Sequence, residues 1–210
     1  MVMLKTLPEV LFKPREFYES MEEVTWKEGV LILLLSLIFS LILYSIFANV
    51  LGTSKIIFDF GLGYELTPFS LFFGFGQTIV FLILSSLLAN IIALHFGGTG
   101  NLSETVGMFG YSGFLAFPKS LASIFLMIFL FSKITSVEFA AGLEQFLSSF
   151  MWIISSVFII FILWELWIKG AAVSVEHDVS HFKGFLSALT AIILTYTIVF
   201  SLKYLGGLLA

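Results

Sequence analysis

GGTGNLSETVGMFGYSGFLAFPK, residues 97–119, decides how the rest of the chain is read. It lies between two long apolar runs. Its glycines make a turn, and Ser103 followed by Glu104 offers a helix start. A membrane-length apolar segment then carries Gly110-Tyr111-Ser112, Pro118 and Lys119. Most other polar residues inside the apolar runs fall at the depth of Tyr111 or of Lys119 when each run is counted as a helix.

Composition explains why the runs must be membrane segments. Of 210 residues, 59% are hydrophobic and 11% charged, where a soluble domain carries about a quarter charged residues. Mean hydropathy is +1.08, so the chain takes lipid as its solvent. The absence of cysteine excludes disulfides and thiolate metal sites. A net charge of −4 offers nothing to a nucleic acid.

Working outward, five apolar runs cover about 28–51, 70–96, 105–131, 146–170 and 184–207. Each exceeds the ~20 residues a helix needs to cross the hydrocarbon core. Backbone groups in lipid must pair within their own segment, so each run is predicted to be a helix. Trp26, Trp152, Trp164 and Trp167 all fall near predicted ends, the place of an aromatic belt. The fold class is therefore an all-α integral membrane protein, with five transmembrane helices over 28–207 behind a leader, 1–27. Phe17, Met21 and Val24 recur at helical spacing after Pro14, so the leader reads either as an interfacial amphipathic helix or as a solvated arm.

Five spans put the termini on opposite sides. Lys5, Lys13, Arg15, Lys27, Lys169 and Lys183 would lie inside, against Lys55, Lys133 and Lys203 outside, which predicts N-terminus in and C-terminus out. The segments 52–69 and 132–145 become outer loops, and 97–104 and 171–183 inner ones. Each inner loop leads to a serine, Ser103 or Ser180, before the next helix, a pattern that suggests two repeated helical hairpins.

Gly110-Tyr111-Ser112, five residues, then Pro118 resembles the Gly-Tyr-Ser…Pro signature on the third membrane helix of the Yip1 family. Gly97-Gly98-Thr99-Gly100 before Ser103-Glu104 is similar to that family's glycine-rich turn. Pro14-x-x-Phe17 resembles the family's approach to its first helix, and Trp164 and Ser180 also fit. The resemblance spans about Pro14 to Lys203. It implies a non-enzymatic protein that organises membranes or acts as an adaptor, as in membrane trafficking, with other membrane proteins or small GTPases as partners. Eukaryotic members carry a long cytosolic N-terminal region with an Asp-Leu-Tyr-Gly-Pro motif and bind prenylated Rab GTPases. Here the leader is about 27 residues and lacks that motif, so the chain reads as a compact, prokaryotic-type member in the cytoplasmic membrane.

Several residues could carry chemistry. Glu176-His177-Asp178-x-x-His181 puts two imidazoles at i, i+4, with His95 on the same side, a weak candidate for zinc against a hydrated loop at headgroup level. No cofactor is expected. Glu165 either pairs with Lys169 at the interface or faces the bundle at the depth of Asn90 and Tyr111. Lys119 falls near the middle of the third run, and no carboxylate is expected at its depth. Tyr44, Ser85, Ser86, Ser155, Ser156, Tyr196 and Thr197 lie at that depth, so Lys119 is expected to close a polar layer or to hold an anionic group there. The lysine otherwise snorkels from a helix kinked at Pro118. Catalytic patterns are lacking: there is no Gly-x-Ser-x-Gly, and Glu22-Glu23 has no helix-borne histidine partners. Gly107, Gly110, Ser112 and Gly113 would allow close helix packing, including a homodimer. Two functions follow, an adaptor or organiser working in the lipid bilayer, or a small-solute or lipid transporter using the Lys119 layer.

Overall fold

The computed structural model describes residues 2–21, 24–50, 68–134 and 143–209. Among these the chain forms α1 (Val2–Phe12), α2 (Pro14–Glu19), α3 (Trp26–Val50), α4 (Pro68–His95), α5 (Leu102–Tyr111), a 3-10 turn (Ser112–Leu115), α6 (Ala116–Ile134), α7 (Leu143–Glu176) and α8 (His181–Leu209). The described residues contain no strand. The segments 52–67 and 135–142, expected as most of the outer loops, and the pair Glu22-Glu23 lie outside the described residues.

Four helices among the described residues are long and apolar enough to cross a membrane, over Trp26–Leu43, Phe75–His95, Ser155–Glu176 and His181–Leu202. The expectation of five such helices is corrected at the third run. Pro118 has no N–H, and its ring crowds the carbonyl four residues back, that of Phe114. The chain tightens into the 3-10 turn over that residue and resumes as α6 at Ala116. Pro118 thus sits in the first turn of α6, where its missing donor costs least. The run is two helices joined by a tight turn, with the break just ahead of the proline.

The bundle is apolar outside and small-residue inside. On α3, Leu31, Leu35, Ile38, Ile42 and Ile46 are exposed, while Ser36 and Ser40 are buried. On α4, Val80, Ile83, Leu87, Ile91 and Leu94 are exposed, while Ser85, Ser86, Ala89, Asn90 and Ala93 are buried. Such helical stripes of large exposed apolar residues suit a hydrocarbon solvent, where small residues on the inner face let backbones approach. The buried serines return their hydroxyls to their own helices, as Ser36 does to the Ile32 carbonyl at 2.8 Å and Ser40 to that of Ser36 at 2.9 Å.

The closest approach is between α3 and α5. A Cβ on Gly110 would overlap the backbone of Gly29, and one on Gly107 would meet the Thr25 carbonyl oxygen at 2.8 Å. A Cβ on Gly113 would lie 3.1 Å from Leu33 Cα. Phe39 and Phe117 follow, with ring centroids 4.4 Å apart. Residue numbers rise together on both sides, so α5 and α6 run beside α3 in the same direction. These glycines are filled by α3 of the same chain and are closed to a second copy.

The leader packs on this frame. Val10, Leu11, Pro14, Phe17 and Tyr18 are buried, against exposed Lys13, Arg15, Glu16 and Glu19. Trp164 Nε1 donates to the Leu11 carbonyl at 2.7 Å, and the Tyr18 hydroxyl donates to the Met108 carbonyl at 3.0 Å. At the other end of the leader, Thr25 and Glu28 form a capping box for α3. The Thr25 N–H donates to the Glu28 carboxylate at 2.9 Å, and the Glu28 N–H faces Thr25 Oγ1 at 3.4 Å.

Candidate functional site

The helix α5 touches α3, α4 and α7, so the opening stretch sits at the centre of one end of the bundle. Two turns meet there, and both close in the same way. At the end of α4, the Gly98 N–H donates to the Ala93 carbonyl and the Gly97 N–H to that of Leu94, each at 3.0 Å, with Gly97 at φ 89°. At the end of α7, the Val179 N–H donates to the Ser174 carbonyl at 3.1 Å and the Asp178 N–H to that of Val175 at 3.3 Å, with Asp178 at φ 50°. Both are Schellman closures with a left-handed residue just beyond the helix. Glycine enters that conformation without strain, and aspartate is one of the few side chains that tolerates it.

The turns are clasped to each other. The Thr99 N–H donates to the His177 carbonyl at 3.1 Å, and the Asn101 N–H donates to the Glu176 carboxylate at 2.7 Å. A Cβ on Gly98 would lie 2.8 Å from His177 Cβ, and one on Gly100 would lie 2.6 Å from the Glu176 carbonyl oxygen, so both positions admit only glycine. Asn101 then caps α5: its side-chain oxygen accepts from the Glu104 N–H at 3.0 Å, and its amide donates to the Glu104 carboxylate at 2.5 Å. The helix start expected at Ser103 therefore falls earlier, at Leu102. Asparagine is as good a cap as serine, and Glu104 in the third helical position accepts from the Asn101 side-chain amide, because the Asn101 N–H is taken by Glu176. On the opposite turn Ser180 caps α8, accepting from the Lys183 N–H at 3.4 Å, while the Lys183 ammonium reaches the Phe96 carbonyl at 3.1 Å.

The Gly110-Tyr111-Ser112 motif lies where this end meets the leader. The Tyr111 ring packs on Phe17 and Phe114, with centroids 5.3 and 6.1 Å away, and stands edge-on to Tyr18 at 6.5 Å. Ser112 donates to the Phe109 carbonyl at 2.7 Å, at the point where α5 gives way to the 3-10 turn. Gly110 meets α3, Tyr111 the leader, and Ser112 turns the chain. The Yip1 domain profile matches residues 9–202, which takes in the end of α1, all of α2, both turns and this motif.

The chain belongs to the Yip1 family. Comparison with curated proteins and with solved structures gives no match. The four long apolar helices and the Yip1 domain together make it a multi-pass integral membrane protein.

The polar residues expected at one depth of this Yip1 domain are dispersed. Ser85 and Ser86 are buried and donate to the Leu82 carbonyl, while Ser156 is exposed and donates to that of Trp152. Ser155 and Tyr196 are exposed, the latter packed on Phe81 at 4.7 Å, and Thr197 donates to the Ile193 carbonyl. The side chain of Tyr44 lies outside the described residues. Asn90 is buried, with no hydrogen-bond partner for its Oδ1. No hydrogen bond joins Lys119 to any of these hydroxyls among the described residues. Glu165 instead binds Lys169, Oε1 to Nζ at 2.6 Å, and Lys119 comes near enough to Glu165 for their charges to interact. Among the described residues no carboxylate stands within 4.0 Å of Lys119. The lysine is half-buried.

The histidines are not brought together. Among the described residues no three His, Cys, Asp or Glu side chains could hold a metal ion. His95 is exposed beside Phe96, and His181 keeps a buried Nδ1 without a hydrogen-bond partner. His177 is fully buried, with Nε2 3.1 Å from Thr105 Oγ1.

Burial holds the His177 imidazole below the usual histidine range. Folding therefore favours the neutral ring, and the unfolded chain binds more protons once pH drops below the ordinary value of about 6.5. The stability owed to neutral His177 is complete above that pH and is lost as pH falls below it. Glu104, Glu176 and Asp178 share this end, so the total profile is a sum, and a His177→Asn variant isolates the one ring. We expect the lead of wild type over His177→Asn, in thermal midpoint in detergent, to shrink between about pH 7 and about pH 5. A lead that stays constant over that range would refute the assignment.

Proposed function

We propose that this Yip1-domain protein is a non-enzymatic adaptor or organiser of membrane proteins or lipids, working from the end where the leader and the two turns meet. The observation that carries the reading is the docked leader. Helices α1 and α2 are fastened to Trp164 and Met108 by hydrogen bonds, the second of them buried, and their exposed side carries Lys13, Arg15, Glu16 and Glu19. A fixed, charged rim beside a lipid-facing bundle suits recognition better than turnover. The partners we propose are other membrane proteins, small GTPases among them on family resemblance alone, and a second copy of the chain. The transporter reading finds no support and is not proposed.

We also propose that this end faces the inside of the cytoplasmic membrane. Lys13, Arg15, Lys27 and Lys183 gather there, as the positive-inside bias requires. If the broken α5–α6 segment returns alongside α3, the C-terminus lies outside.

A photo-crosslinking side chain at Arg15 or Lys27 tests both proposals in native membranes, with Tyr204 as the distal control. The same membrane-protein partner should be captured from the first two positions and not from the third. Cysteine labelling at positions 13, 99 and 178 should report one side, and labelling at 60 and 140 the other. Solute flux in proteoliposomes with no captured partner would overturn the adaptor reading, and position 99 labelling with 60 would overturn the orientation.

A further inference from the structure

We infer that His177 is a proton-operated latch on the clasp between the two turns: a proton added at its Nδ1 frees the 97–101 turn from the end of α7. Hydrogen-bond directions around the ring point to this role. The Thr105 hydroxyl has one hydrogen and lies 2.8 Å from the Asn101 carbonyl oxygen, which can only accept. The hydroxyl therefore meets His177 Nε2, 3.1 Å away, as an acceptor, and the imidazole proton sits on Nε2. That leaves Nδ1 as a bare lone pair. It is buried, and among the described residues it has no hydrogen-bond partner. A lone pair is tolerable in this place. A proton is not, since the ring becomes a buried cation with an unbonded N–H.

The groups around the ring give that cation no partner. Among the described residues no carboxylate stands within 4.0 Å of a histidine nitrogen. Glu104 of α5 and Glu176 of α7 are both engaged by Asn101, the first by its side-chain amide and the second by its N–H. Asp178 follows the ring in the left-handed turn. At the start of α8, His181 keeps its own Nδ1 without a partner and Lys183 is bonded to the Phe96 carbonyl, while α4 ends in the exposed His95. The ring reaches water only by leaving its place, and the turn lies against it. A Cβ on Gly98 would come 2.8 Å from His177 Cβ, and Thr105, 1% exposed, covers Nε2 from α5. The clasp is also the part that yields most readily. It is made by the Thr99 N–H on the His177 carbonyl and the Asn101 N–H on Glu176, whereas α5 is anchored further on by its glycine crossing with α3. Opening is therefore local, at the turn. Burial holds the imidazole below the usual histidine range, so the latch opens below about pH 6.5. Its signal is a fall in pH on the side this end faces.

Amide hydrogen exchange of the full chain in nanodiscs, corrected for its intrinsic pH dependence, tests the latch. From about pH 7.5 to about pH 5, wild type should lose about tenfold of its protection at Thr99 and Asn101, since one proton shifts an equilibrium by up to about tenfold per pH unit. Residues 106–110 should keep theirs. His177→Gln offers an amide N–H in place of Nε2–H and does not titrate, so its protection should not change with pH. Wild-type protection that is flat with pH overturns the inference. Equal loss in His177→Gln overturns it as well and assigns the opening to Glu104 and Glu176. Loss that spreads through 106–110 is general unfolding and refutes a latch. If the glutamine variant does not fold, nitrogen-15 spectra of the imidazole decide. Nδ1 must be the bare nitrogen at neutral pH and gain its proton over the range in which protection falls. The opposite tautomer, or a proton gained outside that range, overturns the inference. Neither readout needs a partner, so the latch and the adaptor reading can fail separately.

Discussion

Replacing Gly110 with alanine should cost more than about 3 kcal/mol or prevent folding, because the added carbon enters the backbone of Gly29. A flexible side chain could swing away, but the colliding atoms are the carbonyl and Cα of α3, so the helix itself must retreat. That retreat would open the packing around Gly107 and Gly113, which share the crossing. Gly29→Ala should match it, since a Cβ there meets the Gly107 Cα at 2.7 Å and the Val106 carbonyl oxygen at 2.8 Å. Gly113→Ala should be milder, its nearest neighbours being Leu33 atoms at 3.1 Å. Gly76 supplies the control. It lies inside α4 with nothing within 4 Å of the added carbon, so alanine there should be neutral or stabilise by up to about 1 kcal/mol through helix propensity. Thermal unfolding in detergent, followed by size-exclusion chromatography, measures the series. Equal behaviour of the Gly110 and Gly76 variants would mean that α3 and α5 do not cross on glycine.

The second large effect is an asymmetry within the Glu165–Lys169 pair. Glu165→Gln removes the one carboxylate, among the described residues, on an ammonium that is nearly enclosed. Breaking a buried pair typically costs about 3–5 kcal/mol. The expected loss here is about 2–3 kcal/mol, because the exposed third of Glu165 lets solvent and headgroups screen the charge. Lys169→Met should cost less, since Glu165 is one-third exposed and keeps access to solvent and headgroups, and methionine fills the lysine's place against Phe109. Combining the two changes should recover part of the glutamine loss, as removal of both charges restores neutrality. Thermal midpoints of the four proteins close the cycle. If Lys169→Met were the more damaging single change, the enclosed ammonium would not depend on Glu165 for its charge.

Sequence alone determined what acts over one or two helical turns. The apolar runs had to be helices because lipid offers no partner for a free backbone group, and α3, α4, α7 and α8 follow four of those runs. Pro118 marked the break in the third run, since a missing N–H is a local fact, although the 3-10 turn that absorbs it was not legible. Gly97 was readable as a turn residue. Asp178 was not, because only its neighbours show that it takes the left-handed closure on α7. The pairing of Glu165 with Lys169, four residues apart, was also within reach of the spacing.

Tertiary structure alone decided the rest, and in each case the deciding atoms are distant in the chain. Nothing near Tyr18 signals that its hydroxyl bonds a carbonyl 90 residues away, and Leu11 meets Trp164 across 153. The leader therefore read as an arm or a surface helix, although its apolar face is filled by the bundle. The end of α7 behaves likewise. Gly170-Ala171-Ala172 resembles the beginning of a loop, but those small residues are where α8 approaches, a Cβ on Gly184 lying 2.8 Å from the Ser174 nitrogen, and the helix continues to Glu176. Helical periodicity states which face of a segment avoids lipid. It carries no information on which other segment will cover that face, and that choice fixed the leader and the clasped turns.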